Sequence, residues 1–439
     1  MRAAEASAGA VVPPHRQAMV ALAATLLYVA STTKYQARDP LSTQAGIQAV
    51  LEIGLVMGAL GLSALITRPR TLVRHLTPTV IGFILFAVFA MLSSAFSFWP
   101  PLSLIKASLL VATVLTAAML CAARPPKEVV TAVYWAVIAL IVVGTTVKFA
   151  SAQPLFDTDE YSGRARFTLF ALHWGSLADF VAYTFLLGRL LPRRPPAICQ
   201  ALLVVVNLAA GARASTIALL LVALFEWGWR QRVSMTALTV GSFSVAAAAL
   251  VAFLWVNGAL PTPNVPYERL YGDKVTVDEI VTLNNRTALW AESFRLVPGT
   301  LLFGYGLEGM RAVLLQEFEW AGHSHNAYLE LLFAGGLAGL VSFLGAWGSA
   351  VRAGWRATSE TRLSIIGLHV YMFICGLTDP NLTLLMFFPM FVIVCLDAVA
   401  RADIAASVAD KGYRTAMAGF LPALGQGPLP ARPVGWRIT

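Results

Sequence analysis

The sequence has 439 residues, of which 58% are hydrophobic and only 13% are charged. Soluble domains carry about 25% charged residues, so this composition excludes one large water-soluble domain and indicates a chain that crosses a membrane many times. The formal net charge of +9 does not require a nucleic acid partner, because basic residues in a membrane protein usually mark cytoplasmic loops.

The apolar stretches of the chain form a series of candidate transmembrane helices, each of which needs about 20 residues. They lie at 17–33, 44–67, 78–98, 103–123, 128–148, 168–190, 196–211, 214–229, 234–257, 326–350, 363–378 and 381–399. The sequence therefore predicts an all-α, polytopic membrane protein of about twelve transmembrane helices.

The spacing of these stretches divides the chain into four parts. Residues 1–257 are predicted to hold the first nine helices with short loops, and residues 326–400 the last three. Residues 258–325 form an unusually long connection, in which "NNRTALWAESFRLV" places apolar residues on one helical face. This connection is predicted to be a small helical subdomain outside the membrane, and residues 401–439 a cytoplasmic tail.

Arginine and lysine residues determine the predicted orientation, because they concentrate in every second connection. These residues are Arg68, Arg70, Arg74, Arg124, Lys127, Arg189, Arg193, Arg194, Arg230, Arg232, Arg352, Arg356 and Arg362. Basic loops of membrane proteins remain in the cytoplasm, so these connections and both termini are predicted to be cytoplasmic. The long connections 149–167 and 258–325 are then predicted to face the outside.

Neither a metal nor a cofactor is expected. The chain has no Walker loop, no HExxH motif and no paired aspartates near an outer connection. The four cysteines, Cys121, Cys199, Cys375 and Cys395, lie in apolar runs and lack metal-ligand spacing. They are predicted to be buried small hydrophobic residues.

Four arginines, Arg164, Arg166, Arg213 and Arg286, lie near the predicted outer membrane face. Arg213 belongs to the turn "AAGARAST", which is too short to be a solvated loop, and Arg286 follows two asparagines that can cap a helix. A single arginine here could simply reach toward lipid headgroups. Several on one face favour an anion site, since guanidinium groups and helix N-termini both bind phosphate.

The stretch "GHSHNAYLELLFAGGLAGL", residues 322–340, combines titratable residues with glycines. If it is one continuous helix, Gly336 lies almost beneath His325, and Gly339 falls near the same line. Small residues there would let a neighbouring helix or a lipid chain approach closely. His325 suits proton transfer near neutrality, although a structural, hydrogen-bonded histidine is the alternative.

A few other polar residues lie inside the predicted spans. They are Glu52, Lys106, His173, Asp179 and Glu330. Lys106 and Glu330 lie near outer helix ends and could line the same cavity, and Glu330 shares a helical face with Asn326. Glu52 and Asp179 could equally form hydrogen bonds between helices.

The pattern His325-Asn326, nine residues, Gly336, two residues, Gly339 resembles the signature of the bacterial O-antigen ligase/polymerase family. The segments "RARFTLFALHWGSLADF", "GARAST" and "NNRTALW…LLFGYGLEGM" are similar to further family motifs in the same order, and together they cover about residues 160–345. In the first segment the usual glycine and Pro-Asn are replaced, and the Phe-Thr that follows favours Arg166 over Arg164.

The resemblance implies a GT-C-like glycosyltransferase at the outer face of the bacterial inner membrane that needs no metal. Its donor would be a glycan on undecaprenyl pyrophosphate. Arg166, Arg213 and Arg286 would bind the pyrophosphate, and His325 would be the catalytic base. The supporting residues would be Asn326, His323, Arg164, Glu330, Gly336 and Gly339.

The run from Arg286 to Gly339 looks closest to exopolysaccharide polymerases, so polymerisation of exopolysaccharide or O-antigen repeat units is the predicted reaction. The alternative is an O-antigen ligase, whose acceptor is lipid A–core. A transporter or flippase of lipid-linked glycans would also fit twelve spans, but the chain shows no inverted repeat.

Overall fold

The computed structural model describes residues 14–32, 47–158, 165–169, 174–231, 286–318, 322–379, 382 and 387–420. The helices in these ranges are α1 Pro14–Thr32, α2 Ile47–Ile66, α3 Pro69–Arg74, α4 Pro78–Ser93, α5 Pro100–Ala123, α6 Pro126–Ala150, α7 Trp174–Leu187, α8 Ala197–Ala210, α9 Arg213–Arg230, α10 Arg286–Thr300, α11 Gly309–Glu317, α12 Ala327–Arg356, α13 Ser359–Thr378 and α14 Phe387–Phe420. Short 3₁₀ turns occupy Ser94–Phe96 and Gly188–Leu190.

Five helices of the described chain are long and apolar enough to cross a membrane, namely α4 with its 3₁₀ turn, α5, α6, α12 and α13. Shorter apolar helices run over Ala18–Leu27, Val50–Ile66 and Ala197–Ala210. The chain is thus a multi-pass membrane protein. The number twelve stays a prediction, and the span expected at 234–257 lies outside the described residues.

Two of the expected spans are shorter in the structure than the sequence suggested. The span expected at 168–190 contains α7, which has 14 residues, and α8 also has 14. At 1.5 Å per residue, such helices measure about 21 Å, less than the roughly 30 Å of a hydrocarbon core. In contrast, α14 continues without a break to Phe420, so the predicted boundary at residue 400 lies inside a helix.

Prolines mark where several helices begin. Pro69, Pro78, Pro100 and Pro126 each occupy the first position of a helix, where the absence of an N–H does no harm and φ is already suitable. The side chain of Thr77 also caps α4 by accepting a hydrogen bond from the amide of Val80.

The longest packing surface lies between α4 and α12. A Cβ added at Gly82 of α4 would approach the Cβ of Ala346 to 2.8 Å, and Phe86 and Phe343 pack with ring centroids 5.5 Å apart. A Cβ at Gly339 would lie 3.4 Å from the ring of Phe86. Gly339 therefore lies on a helix-packing surface, where a small residue lets the neighbouring helix approach closely.

One small β-sheet interrupts the all-helical pattern that the sequence predicts. Strand β1, Phe156–Thr158, pairs antiparallel with strand β2, Ala165–Phe167, with Asp157 opposite Arg166. The pair lies in the long connection after α6. It holds Arg166 in regular structure at the end of that connection.

The transmembrane helix α5 defines two ends of the molecule. Ser103, in its first turn, hydrogen-bonds to the carbonyl of Leu307 in the segment that precedes the histidines. Arg124 follows the last residue of α5, which has 24 residues and is about 36 Å long. We call the end with His325 the histidine face and the end with Arg124 the basic face.

The cysteines largely match the prediction of buried small residues. Cys121, Cys375 and Cys395 are buried, whereas Cys199 is half-buried. The sulfurs of Cys121 and Cys395 are 3.8 Å apart.

Candidate functional site

The two histidines lie in a turn before α12, and not in the helix. We call Gly322–Asn326 the histidine turn. Asn326 is the N-cap, since its Oδ1 accepts hydrogen bonds from the amides of Tyr328 and Leu329 at 3.0 and 3.1 Å. His325 has a φ of 52°, which is uncommon for a residue other than glycine. The prediction that Gly336 lies beneath His325 on one helix is wrong, because α12 begins two residues after His325.

The peptide of Ser324 is held from several sides, and this fixes the histidine turn. Its amide donates to Oε1 of Glu330 at 2.5 Å, and its carbonyl accepts from Nε1 of Trp290 at 2.9 Å. Its hydroxyl donates to the carbonyl of Asn326 at 3.0 Å. The rings of His323 and His325 lie on either side of this buried residue, with centroids 4.1 Å apart.

Helix α12 is broken at Gly336, where φ is 65° and ψ is −168°. Such a conformation strongly favours glycine. The break releases two backbone groups, which bond to the segment 301–306: the amide of Leu337 donates to the carbonyl of Leu301 at 2.8 Å, and the carbonyl of Phe333 accepts from the amide of Tyr305 at 2.5 Å. A side chain at Gly336 would collide with the backbone of that segment.

The same segment is anchored to membrane helices on its other side. The hydroxyl of Ser93 in α4 donates to the carbonyl of Phe303, and Ser103 in α5 donates to the carbonyl of Leu307. The rings of Phe96 and Phe303 stack 5.3 Å apart. Residues 301–307 therefore join the predicted outer subdomain to three membrane helices.

A small charged cavity lies behind the histidine turn, with a volume of about 20 Å³, room for roughly one water molecule. Glu308, Arg311, His323 and Glu330 are among the residues that line it. Nε of Arg311 is buried without a hydrogen-bond partner among the described residues. Glu308, like His325, has a positive φ, of 64°. Sequence reasoning did not single out Glu308 and Arg311, although Glu308 lies within the matched segment "LLFGYGLEGM" and Arg311 directly follows it.

Arg213 is the first residue of α9, at the end of a tight turn that we call the arginine hairpin, residues Ala210–Arg213. Gly211 makes this turn with a φ of 70°. A Cβ added at Gly211 would lie 4.0 Å from Cγ of Arg166. The structure therefore brings the side chain of Arg166, on β2, against the hairpin that carries Arg213.

A buried polar network holds the arginine hairpin from below. Tyr371 of α13 donates to Asp179 of α7 at 2.7 Å and lies 2.6 Å from the hydroxyl of Ser215 in α9. The amide of Asn207 in α8 donates to the same hydroxyl at 2.8 Å. Asp179 thus forms a hydrogen bond between helices, one of the two roles considered for it from the sequence.

The last turn of α13 connects the two regions. The sulfur of Cys375 lies 4.0 Å from the carbonyl of Ala214, the residue after Arg213. Two residues further on, the carbonyl of Leu377 accepts a hydrogen bond from the side chain of Asn326, the residue after His325. The arginine hairpin and the histidine turn therefore lie on either side of one helix end.

The remaining predicted site residues have different outcomes. Arg286 begins α10, one turn before the Trp290 that bonds to the histidine turn; the side chains of Arg286 and Arg213 lie outside the described part. Arg164 and His173 lie outside the described residues altogether. Lys106 forms a 2.7 Å ion pair with the buried carboxylate of Glu52.

A model of a known protein family matches this part of the chain. Residues 198–344 match the family model described as O-antigen ligase. The match supports an assignment to the O-antigen ligase/polymerase family. It covers about a third of the chain, and no curated protein matches the chain significantly.

The O-antigen ligase match runs from α8 into α12 and includes Arg213, Arg286, His325 and Gly336, whereas Arg166 precedes it. Members of this family are enzymes, ligases or polymerases, that act on lipid-linked glycans. Among the described residues, no group of three or more histidine, cysteine or acidic side chains could hold a metal ion. Metal independence stays a prediction.

Proposed function

We propose that the chain transfers a glycan from undecaprenyl pyrophosphate to a hydroxyl of an acceptor sugar, and that it polymerises exopolysaccharide or O-antigen repeat units. The observation that carries this proposal is the meeting of the arginine hairpin and the histidine turn at the last turn of α13. One segment supplies charge for a pyrophosphate, and the other supplies a group that can accept a proton.

The proposed reaction is a displacement at the anomeric carbon of the donor. His325 takes the proton of the acceptor hydroxyl, and the oxygen attacks the anomeric carbon. The bond between that carbon and the pyrophosphate oxygen breaks, and undecaprenyl pyrophosphate leaves with the electron pair. Arg166, Arg213 and Arg286 stabilise the charge that develops on the leaving group, so the reaction needs no metal.

The geometry of the histidine turn supports a fixed position for the base. Ser324 is completely buried, and its peptide bonds to Glu330 on one side and to Trp290 on the other. Precise placement of a reacting group is a major source of rate enhancement. Trp290 also connects the turn to α10, which begins with Arg286.

The proposal places the reaction at the periplasmic side of the inner membrane. The basic connections all belong to the predicted cytoplasmic side, and α5 separates Arg124 from the segment that contacts Ser103. The histidine face is then the outer one, where lipid-linked glycans are extended.

A ligase is the second candidate, and the description of the matched family model as O-antigen ligase favours it. A ligase would use the same donor, arginines and base, and would transfer the glycan to lipid A–core. The two candidates differ only in the acceptor.

Deletion of the gene, followed by gel analysis of both surface glycans, separates the two candidates. Loss of long-chain polysaccharide, while lipid A–core still carries its normal glycan, supports the polymerase. Loss of O-antigen from lipid A–core, with the glycan accumulating on its lipid carrier, identifies a ligase. Purified protein incubated with a lipid-linked glycan, without a membrane gradient, should form product, whereas a transporter would form none.

A further inference from the structure

A large cleft opens at the basic face, on the opposite side of the membrane from the histidine turn. It has a volume of about 1040 Å³ and lies between α1, the first half of α6 and the loop at 191–196. Its inner wall is mostly apolar and includes Val20, Trp135 and Ala139. Trp135 is 42% exposed on a membrane-spanning helix, so the cleft is open toward lipid.

Arg124 lies at the rim of this cleft, and among the described residues its buried terminal nitrogens have no hydrogen-bond partner. Its side chain is only 3% exposed, yet neither terminal nitrogen has a hydrogen-bond partner in the described parts of the chain. The nearest carboxylate oxygen, on Glu128, is 3.8 Å away, beyond hydrogen-bond distance. Burying a guanidinium without hydrogen bonds is strongly unfavourable, and an anionic ligand in the cleft would offset that cost.

Most of the other charged residues at the rim are also basic. Arg193 and Arg194 are exposed and line the same cleft, and Glu128 is its acidic member. The rim therefore carries three positive charges and one negative charge. Guanidinium groups recognise phosphate through paired N–H donors.

We propose that this cleft binds an anionic phospholipid, with its phosphate at Arg124 and an acyl chain along α1 and α6. The lining residues of α6 extend from Glu128 to Ala139, a rise of about 16 Å. That length equals about half of a hydrocarbon core of roughly 30 Å, which is the depth of one leaflet. Basic pockets between transmembrane helices are known to bind acidic lipid headgroups.

The lipid site is distinct from the proposed active site. Arg124 follows the last residue of α5, whereas Ser103 in the first turn contacts the segment that is joined to α12. The two ends of this helix are about 36 Å apart. The bound lipid would therefore occupy the leaflet opposite the glycan donor, and its role is that of a structural ligand at the α1–α6 junction.

Native mass spectrometry of the full-length protein in neutral detergent tests the proposal, with dioleoyl phosphatidylglycerol and dioleoyl phosphatidylcholine as probes. We expect the wild type to bind phosphatidylglycerol about tenfold more tightly, since a charge-assisted hydrogen-bond pair corresponds to about that factor. Arg124→Gln should reduce phosphatidylglycerol binding to the level of phosphatidylcholine. Arg70→Gln is the matched control, on α3 at the same face, where Thr67 contacts the end of α5; it should bind both lipids as the wild type does.

Three results would overturn the proposal. Equal binding of the two lipids by the wild type would show that the site does not recognise an anionic headgroup. Displacement of phosphatidylglycerol by an equal concentration of inorganic phosphate would show a site for free anions and not for lipid. If Arg124→Gln does not fold, the exposed pair Arg193→Gln and Arg194→Gln replaces it, and unchanged phosphatidylglycerol binding by that variant would be the third contrary result.

Discussion

The histidine turn and the arginine hairpin flank the same helix end, but they are held in place in different ways. The turn depends on bonds to its backbone, from Glu330 and Trp290 to the peptide of Ser324. The hairpin rests on a buried side-chain network that ends at Tyr371 and Asp179. The turn is thus positioned by α10 and by the first turn of α12, and the hairpin by side chains of α7, α8, α9 and α13. Substitutions that weaken the support of the histidine turn should lower the rate of transfer more than the stability. Substitutions that weaken the support of the arginine hairpin should lower the stability more than the rate.

The largest expected effect is that of His325→Ala. Loss of a general base should lower the rate of glycan transfer by about 10²–10⁴-fold, with little change in thermal unfolding in detergent. His323→Ala is the matched control in the same turn and should lower the rate of transfer less. A normal rate for His325→Ala combined with an inactive His323→Ala would assign the base to the other histidine.

Arg213→Ala should have the second largest effect and lower the rate of glycan transfer by about 10²–10³-fold. This is the usual result of removing one group that stabilises developing charge. Arg213→Lys should restore little of this activity, because lysine lacks paired donors. Arg230→Ala, at the other end of α9, serves as the control. Wild-type product formation by Arg213→Ala at equal expression would refute the pyrophosphate site.

Gly336→Ala should destabilise the protein by about 3 kcal/mol, from the positive φ and the collision with the segment 301–306. Gly345→Ala is the matched control in the same helix, since a Cβ there would meet nothing within 4 Å. Thermal unfolding of the two variants in detergent measures the difference. Equal unfolding temperatures would mean that the break in α12 needs no glycine.

Two conservative substitutions compare the hydrogen bonds that hold the arginine hairpin with those that hold the histidine turn. Tyr371→Phe removes the bonds to Asp179 and Ser215 and should lower the free energy of unfolding by about 1 kcal/mol, with transfer by the folded protein unchanged. Trp290→Phe removes the bond to Ser324 and should slow transfer about fivefold, the equivalent of roughly 1 kcal/mol. The reverse pattern would contradict the division of roles between the two supports.

The smallest effect is expected at the exposed pair on α10. Hydrogen bonds from Arg295 hold the pKa of Glu292 below its usual range. Any stabilisation from this lowered pKa is present above the unfolded pKa of about 4.3 and is lost as the pH falls through the folded pKa. Because Arg295 is exposed, Arg295→Ala should change neither transfer nor unfolding measurably between pH 5 and 8. A change in the pH profile of transfer would give this pair a role that its position does not suggest.

The sequence predicted most of the described helices, because long apolar runs leave few alternatives. Arg166, Arg213 and His325 come from distant stretches: the structure brings Arg166 against the arginine hairpin and places that hairpin and the histidine turn on either side of the end of α13, while the roles of these residues stay predictions. The predicted register of Gly336 was wrong, since a 100° periodicity assumes one continuous helix. An N-cap asparagine after the histidine was the signal that the helix starts later. Glu308 and Arg311 were missed because only the fold brings them to His323 and Glu330.

The break in α12 has a consequence for how the outer subdomain can move. The amide of Leu337 and the carbonyl of Phe333 are both bonded to the segment 301–306. Pulling that segment away would break both bonds, and a backbone group left unsatisfied near the membrane costs several kcal/mol. We therefore expect the segment and the helix to move together, and the product of the proposed reaction to pass beside this junction.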